Sequence, residues 1–219
     1  MGAVEGGKVL YRQKAPPLPF RVFEAANPHA LVLCFADPGA GACLPLAGAL
    51  AAQGVEVWAV DPTGFGELAD DWPLDDGWKR LRLANYLLLD GRPMPLRVAA
   101  DLRDLALLRR SQGELPVAVM GLGVKAAWLA LLASALSPQL DAAVALGPQV
   151  DLADEYLEGP LFPMPADLYV SGYSRLGGLA RVKALAGRKP LLVDSNPDPR
   201  PLARTICRFV LKAASAAAK

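Results

Sequence analysis

Two glycine-marked junctions are where this sequence comes nearest to doing chemistry. The first, Gly121-Leu-Gly123-Val-Lys125, follows the apolar run Val117-Ala-Val-Met120 and leads into a very apolar stretch from Ala126 to Leu136. A nucleophile elbow places Ser, Cys or Asp on a strained strand-to-helix turn, between small residues that relieve crowding. The context and the first glycine are present, but Gly123 stands at the nucleophile position and Lys125 where the second flanking glycine belongs. Glycine has no side chain to attack a carbonyl, so covalent hydrolysis through position 123 is excluded. Lys125 reads as a solvated or helix-packing residue. Together Gly121, Gly123 and Lys125 form a degenerate elbow.

The second junction is Pro38-Gly39-Ala-Gly41, after the apolar run Ala30 to Ala36, with Asp61 closing the next apolar run. It imitates a dinucleotide fingerprint, in which glycines let a phosphate approach and a later acid binds the ribose. The third glycine would fall at position 44, which is Leu44. A flexible strand-to-helix turn is the plainer reading, and a Rossmann-type nucleotide site stays as a third alternative.

Other reactive side chains lack partners of the right kind. His29 is the sole histidine and lies just before the 30 to 36 run. Six residue steps in a strand put it about 20 Å from the carboxyl end, too far to serve as a base there. Cys34 lies inside an apolar strand and reads as core, and Ser171 and Ser174 have no recognisable base. Asp194 precedes, and Asp198 belongs to, the pair Asn196-Pro197 and Asp198-Pro199, which read as turn formers. Three cysteines without a CxxC pair argue against a disulfide framework or a zinc site. The acids of 67 to 76 lack calcium-loop spacing and read as solvated. No metal and no cofactor is expected.

Alternating strands and helices must position these groups. Residues 8 to 12 and 19 to 24 are expected as peripheral antiparallel strands, with Pro16, Pro17 and Pro19 forming the turn between them. Unbroken apolar runs at 30 to 36, 55 to 60, 117 to 120, 142 to 146 and 190 to 193 lack polar alternation, as in strands covered on both faces. Helices are expected near 42 to 53, 78 to 89, 96 to 110, 126 to 136 and 201 to 213, and an acidic surface loop at 62 to 77. Such repeated strand-then-helix order makes a mostly parallel sheet with helices on both faces. With 219 residues, a single domain over 1–219 is expected, with 1–29 as its peripheral N-terminal strands. A formal charge of +1, from 23 basic and 22 acidic side chains, gives no argument for nucleic-acid binding. No signal-peptide core or membrane-length apolar run is evident, so no membrane partner and a cytoplasmic location are expected.

Several of these stretches together resemble the α/β-hydrolase superfamily, in its acetyl xylan esterase-like and dienelactone hydrolase-like branch. Val57-Trp-Ala-Val-Asp61-Pro-Thr-Gly64-Phe-Gly66-Glu is similar to the family's Asp-x-Arg-Gly-x-Gly-x-Ser stretch, and Gly91-Arg92 with Ala99-Ala-Asp101-Leu to the lead-in before its elbow strand. Gly121-Leu-Gly123 falls at the elbow, and Lys189-Pro190-Leu-Leu-Val193 resembles the strand before the acid loop. The match runs in order over roughly residues 30 to 200. It implies a three-layer α/β/α sandwich, α/β-hydrolase-like and truncated at its C-terminus. It also implies an oxyanion-loop-like segment at Ala36, Pro38, Gly39 and Val124, with Asp194 or Asp198 at the family-acid position. The family's histidine follows a last strand that has no counterpart after residue 200. The chain therefore reads as a catalytically inactive hydrolase-like protein that binds a small ester-like ligand or a protein partner. Self-association through the sheet edge at 190 to 193 is one form of that. A carboxylic-ester hydrolase with an unorthodox site is the alternative.

Overall fold

The computed structural model describes residues 5–12, 15–68, 93–148, 178–187, 189, 191–194 and 199–217. Among these residues seven strands form one sheet: β1 (Glu5–Arg12), β2 (Ala15–Phe23), β3 (Ala30–Ala36), β4 (Val55–Val60), β5 (Val117–Leu122), β6 (Ala142–Leu146) and β7 (Leu191–Asp194). Their order across the sheet is β1-β2-β4-β3-β5-β6-β7. The β1–β2 and β2–β4 pairs are antiparallel and all others parallel. In β3 every residue is buried, with Leu31, Leu33 and Phe35 packed on one face and Val32, Cys34 and Ala36 on the other. That two-residue period, apolar at every step, explains why the run shows no polar alternation.

Among the described residues, five α-helices cover the two faces. α2 (Met94–Gln112), α3 (Val124–Leu136) and α4 (Gly178–Ala186) bury side chains with Leu33, Phe35 and Trp58 on one face. α1 (Leu44–Ala51) and α5 (Pro199–Ala217) bury theirs with Val32, Cys34 and Val57 on the other. The result is a three-layer α/β/α sandwich around a mostly parallel sheet, as the sequence leads one to expect. In α5 the buried Ala203, Ile206, Cys207, Val210 and Ala213 form one stripe, while Arg204, Arg208 and Lys212 face solvent. No described helix is long and apolar enough to cross a membrane.

The prolines depart from expectation. Pro16, Pro17 and Pro19 lie within β2 rather than in a turn, and Pro19 pairs with Val9 of β1. β4 pairs only with Phe20 to Phe23 of β2. Beyond that pairing, Pro19 accepts the Asp61 N–H at 3.4 Å through its carbonyl, the ladder group that proline keeps, while Pro16 and Pro17 lie past the end of β4. α4 is not among the helices the sequence leads one to expect. The expected helix near 78 to 89 lies outside the described residues, as does the acidic loop beyond residue 68.

The hairpin is tied to α2 by charge. The Arg12 guanidinium donates to Asp101 and lies 3.6 Å from Asp104. The second Asp101 oxygen accepts from the Thr63 N–H at 2.8 Å and its hydroxyl at 2.7 Å.

Register brings the sheet's carboxyl edge into one line. Ala36 is beside Leu122, Leu122 beside Leu146, and Leu146 beside Asp194. The next residues, Asp37, Gly123 and Gly147, begin the edge loops.

Candidate functional site

Gly123 precedes α3 with φ 110° and ψ −178°, a backbone conformation open essentially to glycine alone. Its N–H donates to the Leu146 carbonyl at 2.8 Å, and the Gly147 N–H to the Asp194 carbonyl at 2.8 Å, so the edge loops are joined by main chain. Gly121 has a different reason: a Cβ there would fall on the Ala126 carbonyl, because α3 packs directly on β5.

Asp37 faces this turn. Its Oδ1 accepts the Ala126 N–H at 2.7 Å and its Oδ2 the Lys125 N–H at 3.2 Å. A Cβ at Gly123 would lie 2.5 Å from the same carboxylate. The anionic group at the amino end of α3 is thus the chain's own. Helix dipole and unpaired first-turn amides make that end attractive to negative charge, and an oxyanion intermediate would use such donors. Asp37 occupies two of those donors and the space that a side chain at 123 would need.

The part of the oxyanion-loop-like segment that follows β3 is satisfied internally in the same way. The Asp37 N–H donates to the Leu122 carbonyl at 3.0 Å and the Gly39 N–H to the Ala36 carbonyl at 2.8 Å, while Pro38 has no N–H to give. The Ala40 N–H donates to Asp61 Oδ1 at 2.6 Å. Val124 stands on the first turn of α3 with its side chain exposed.

Asp61, the ribose-binding candidate of the nucleotide alternative, is buried and joins two loops. Besides Ala40, it accepts the Glu67 N–H on Oδ2 at 3.1 Å. Both oxygens face main-chain amides, as a turn-forming carboxylate's do.

The remaining candidates are dispersed. His29 sits at the opposite edge beside Gly54, whose carbonyl accepts the His29 N–H at 3.0 Å. Cys34 is fully buried, and burial together with the adjacent Cys43 pushes its thiol well up. That disfavours the thiolate a nucleophile requires. Asp194 ends β7, half-buried, level with Leu146. Lys125 is half-buried on α3. Asp198, Ser171 and Ser174 lie outside the described residues. No group of three or more His, Cys, Asp or Glu side chains suited to a metal occurs among the described residues.

The residue that sequence reasoning missed is Asp37. Its one signal was an acid closing a wholly apolar strand, and its partners lie 88 and 89 positions away.

No protein-family model matches the sequence, and no curated protein matches it. Solved structures match in fold. TT1662 from Thermus thermophilus superposes with a TM-score of 0.64 at 17% identity, over 96% of this chain and 98% of that one. The α/β hydrolase GrgF from Penicillium sp. gives 0.60 at 13%, over 97% and 99%. A dienelactone hydrolase from Anabaena variabilis gives 0.58 at 16%, over 96% and 98%. At these identities the likeness is one of fold, that of the α/β-hydrolases.

Proposed function

We propose that this chain, an α/β-hydrolase fold with glycine at the elbow, is a non-catalytic protein that acts by binding a ligand or a protein partner. One observation carries the reading: the Asp37 carboxylate accepts the Lys125 and Ala126 amides and stands 2.5 Å from where a Cβ at position 123 would be. Converting such a site back to hydrolysis needs more than restoring a serine. The serine would meet a negative charge, and the Lys125 and Ala126 amides would still be taken. Its motifs resemble those of the acetyl xylan esterase-like and dienelactone hydrolase-like branch, and on that resemblance the chain is a pseudoenzyme of ester hydrolysis. A cytoplasmic setting suits its three free, buried cysteines.

Purified protein is offered p-nitrophenyl acetate and butyrate, beside Gly123→Ser and Asp37→Ala. No protein-dependent turnover is expected from the parent chain or from Gly123→Ser. Turnover by the parent that disappears in Asp37→Ala or in Asp194→Ala would establish an unorthodox ester hydrolase and overturn the binding reading.

A further inference from the structure

A cavity of about 430 Å³ opens between the β1–β2 hairpin and the loops that follow β3 and β4. Its floor is a row of the sheet in which Gly7, Arg21 and Ala59 are neighbours across β1, β2 and β4. Val9 and Pro19, paired with each other, extend that floor, and Ala40, Asp61 and Glu67 close the other end. α1 packs mainly on β4, and on the hairpin Val9 is left 46% exposed and Tyr11 79%. The volume is within the range of small-ligand sites.

Gly7 points to an occupant. Glycine inside a strand weakens it, and is found there where a bulge needs it or where a ligand or another backbone comes close. Gly7 has no positive φ, its pairing with Arg21 is regular, and a Cβ there would meet no atom within 4 Å. Neither conformation nor packing therefore calls for glycine, and the room it leaves belongs to the cavity.

The lining carries both signs. Arg21 is on the hairpin side, Asp61 and Glu67 on the loop side; Lys8, between Gly7 and Val9 and paired with Phe20, lines the groove with its main chain and directs its side chain to the other face. Asp61 is taken up by the Ala40 and Glu67 amides, which leaves the exposed Glu67 carboxylate as the acidic pole. Arg21 already engages a neighbour, but a guanidinium has five N–H donors and serves more than one acceptor. From the level of Ala59 to that of Asp61 is roughly 7 Å along the strand. An extended dipeptide spans about the same distance between its ends. An ion of one sign would leave one end of the cavity opposed to it; a zwitterion answers both.

We infer that this groove binds a small zwitterion with an apolar body, of the dipeptide class, its carboxylate toward Arg21 and its ammonium toward Glu67. The apolar part lies on Val9, Pro19 and Ala59. This deepens the binding reading above, and rests on it in taking the ligand to be bound and released unchanged.

Calorimetric titration of the full chain with leucyl-leucine, its N-acetyl derivative and its C-terminal amide tests the inference. The free dipeptide binds with one site per chain, and each capped form binds about tenfold more weakly, as the loss of a charge-assisted contact predicts. Gly7→Val fills the groove and abolishes binding while the melting temperature holds or rises, because valine suits a strand better than glycine. Arg21→Gln erases the preference for the free dipeptide over its amide. Absence of heat at millimolar dipeptide, equal binding of the capped forms, or undiminished binding by Gly7→Val would each overturn the site. Chromatography of the titrated sample separates the two readings. Leucine released from bound dipeptide sinks the non-catalytic reading and keeps the groove, whereas no binding and no ester turnover sinks the groove alone.

Discussion

Asp37 and Gly123 are mutually dependent residues. The carboxylate fits because position 123 has no side chain, and the two α3 amides have an acceptor because the carboxylate is there. Asp37→Ala leaves those amides without it and is expected to cost about 1–2 kcal/mol, in the range of helix-capping losses. For a chain of this size that lowers the melting temperature by roughly 2–8 °C. An unchanged melt would mean that the amides find another acceptor. Cys34 gives a pH signature. Its folded thiol is raised well above the usual 9.0 by burial and by Cys43, and Cys207 is raised by burial too. Above pH 9 the unfolded chain has released protons that the folded chain keeps, so this stabilisation is intact below 9 and lost as pH rises. Lys189, lowered by burial and donating to the Ser134 and Ser137 carbonyls, works oppositely just below 10.5. Two thiols against one lysine make stability fall between pH 9 and 10. In denaturant titrations Cys34→Ala is expected to flatten that fall, and parallel slopes for parent and variant would refute it.

At the scale of elements, α3 is held to β5 by closeness as much as by apolar area. Gly121→Ala would drive a methyl into the Ala126 carbonyl and force helix from strand. The expected loss is about 3 kcal/mol, the upper range for overpacking a core. A thermal melt drops by roughly 6–12 °C, and a variant melting like the parent would mean that α3 slides at little cost. The central strands were legible in the sequence because a strand buried on both faces must be apolar at every position. β3, β4 and β6 match their expected ends, while β5 runs two residues further, to Leu122. β2 was misread at its prolines because proline marks turns and edge strands alike, and only pairing distinguishes them. α4, at Gly178–Ala186, is a short helix with Lys183 and Arg181 among its apolar residues and carries little pattern to recognise.

The whole molecule ends its sheet at β7, whose outer side pairs with no other described strand. α5 packs on α1, β3 and β6, across the sheet's face, and Val193 remains 39% exposed. Unpaired strand edges are natural sites of strand addition. On the binding reading, light scattering during gel filtration is expected to give a dimer, and Val193→Lys a monomer. A parent chain that is monomeric throughout removes β7 as a self-association surface. The sequence by itself determined the layering, the parallel core and the absence of a nucleophile at position 123, because each follows from residue type and local periodicity. Only the tertiary structure decided what fills that turn. Asp37, Asp61 and Asp101 meet their partners across as few as 6 and as many as 89 positions of sequence. A carboxylate's role depends on which amides lie within 3 Å or so, and that is fixed by strand register and loop closure, neither of which composition or spacing records.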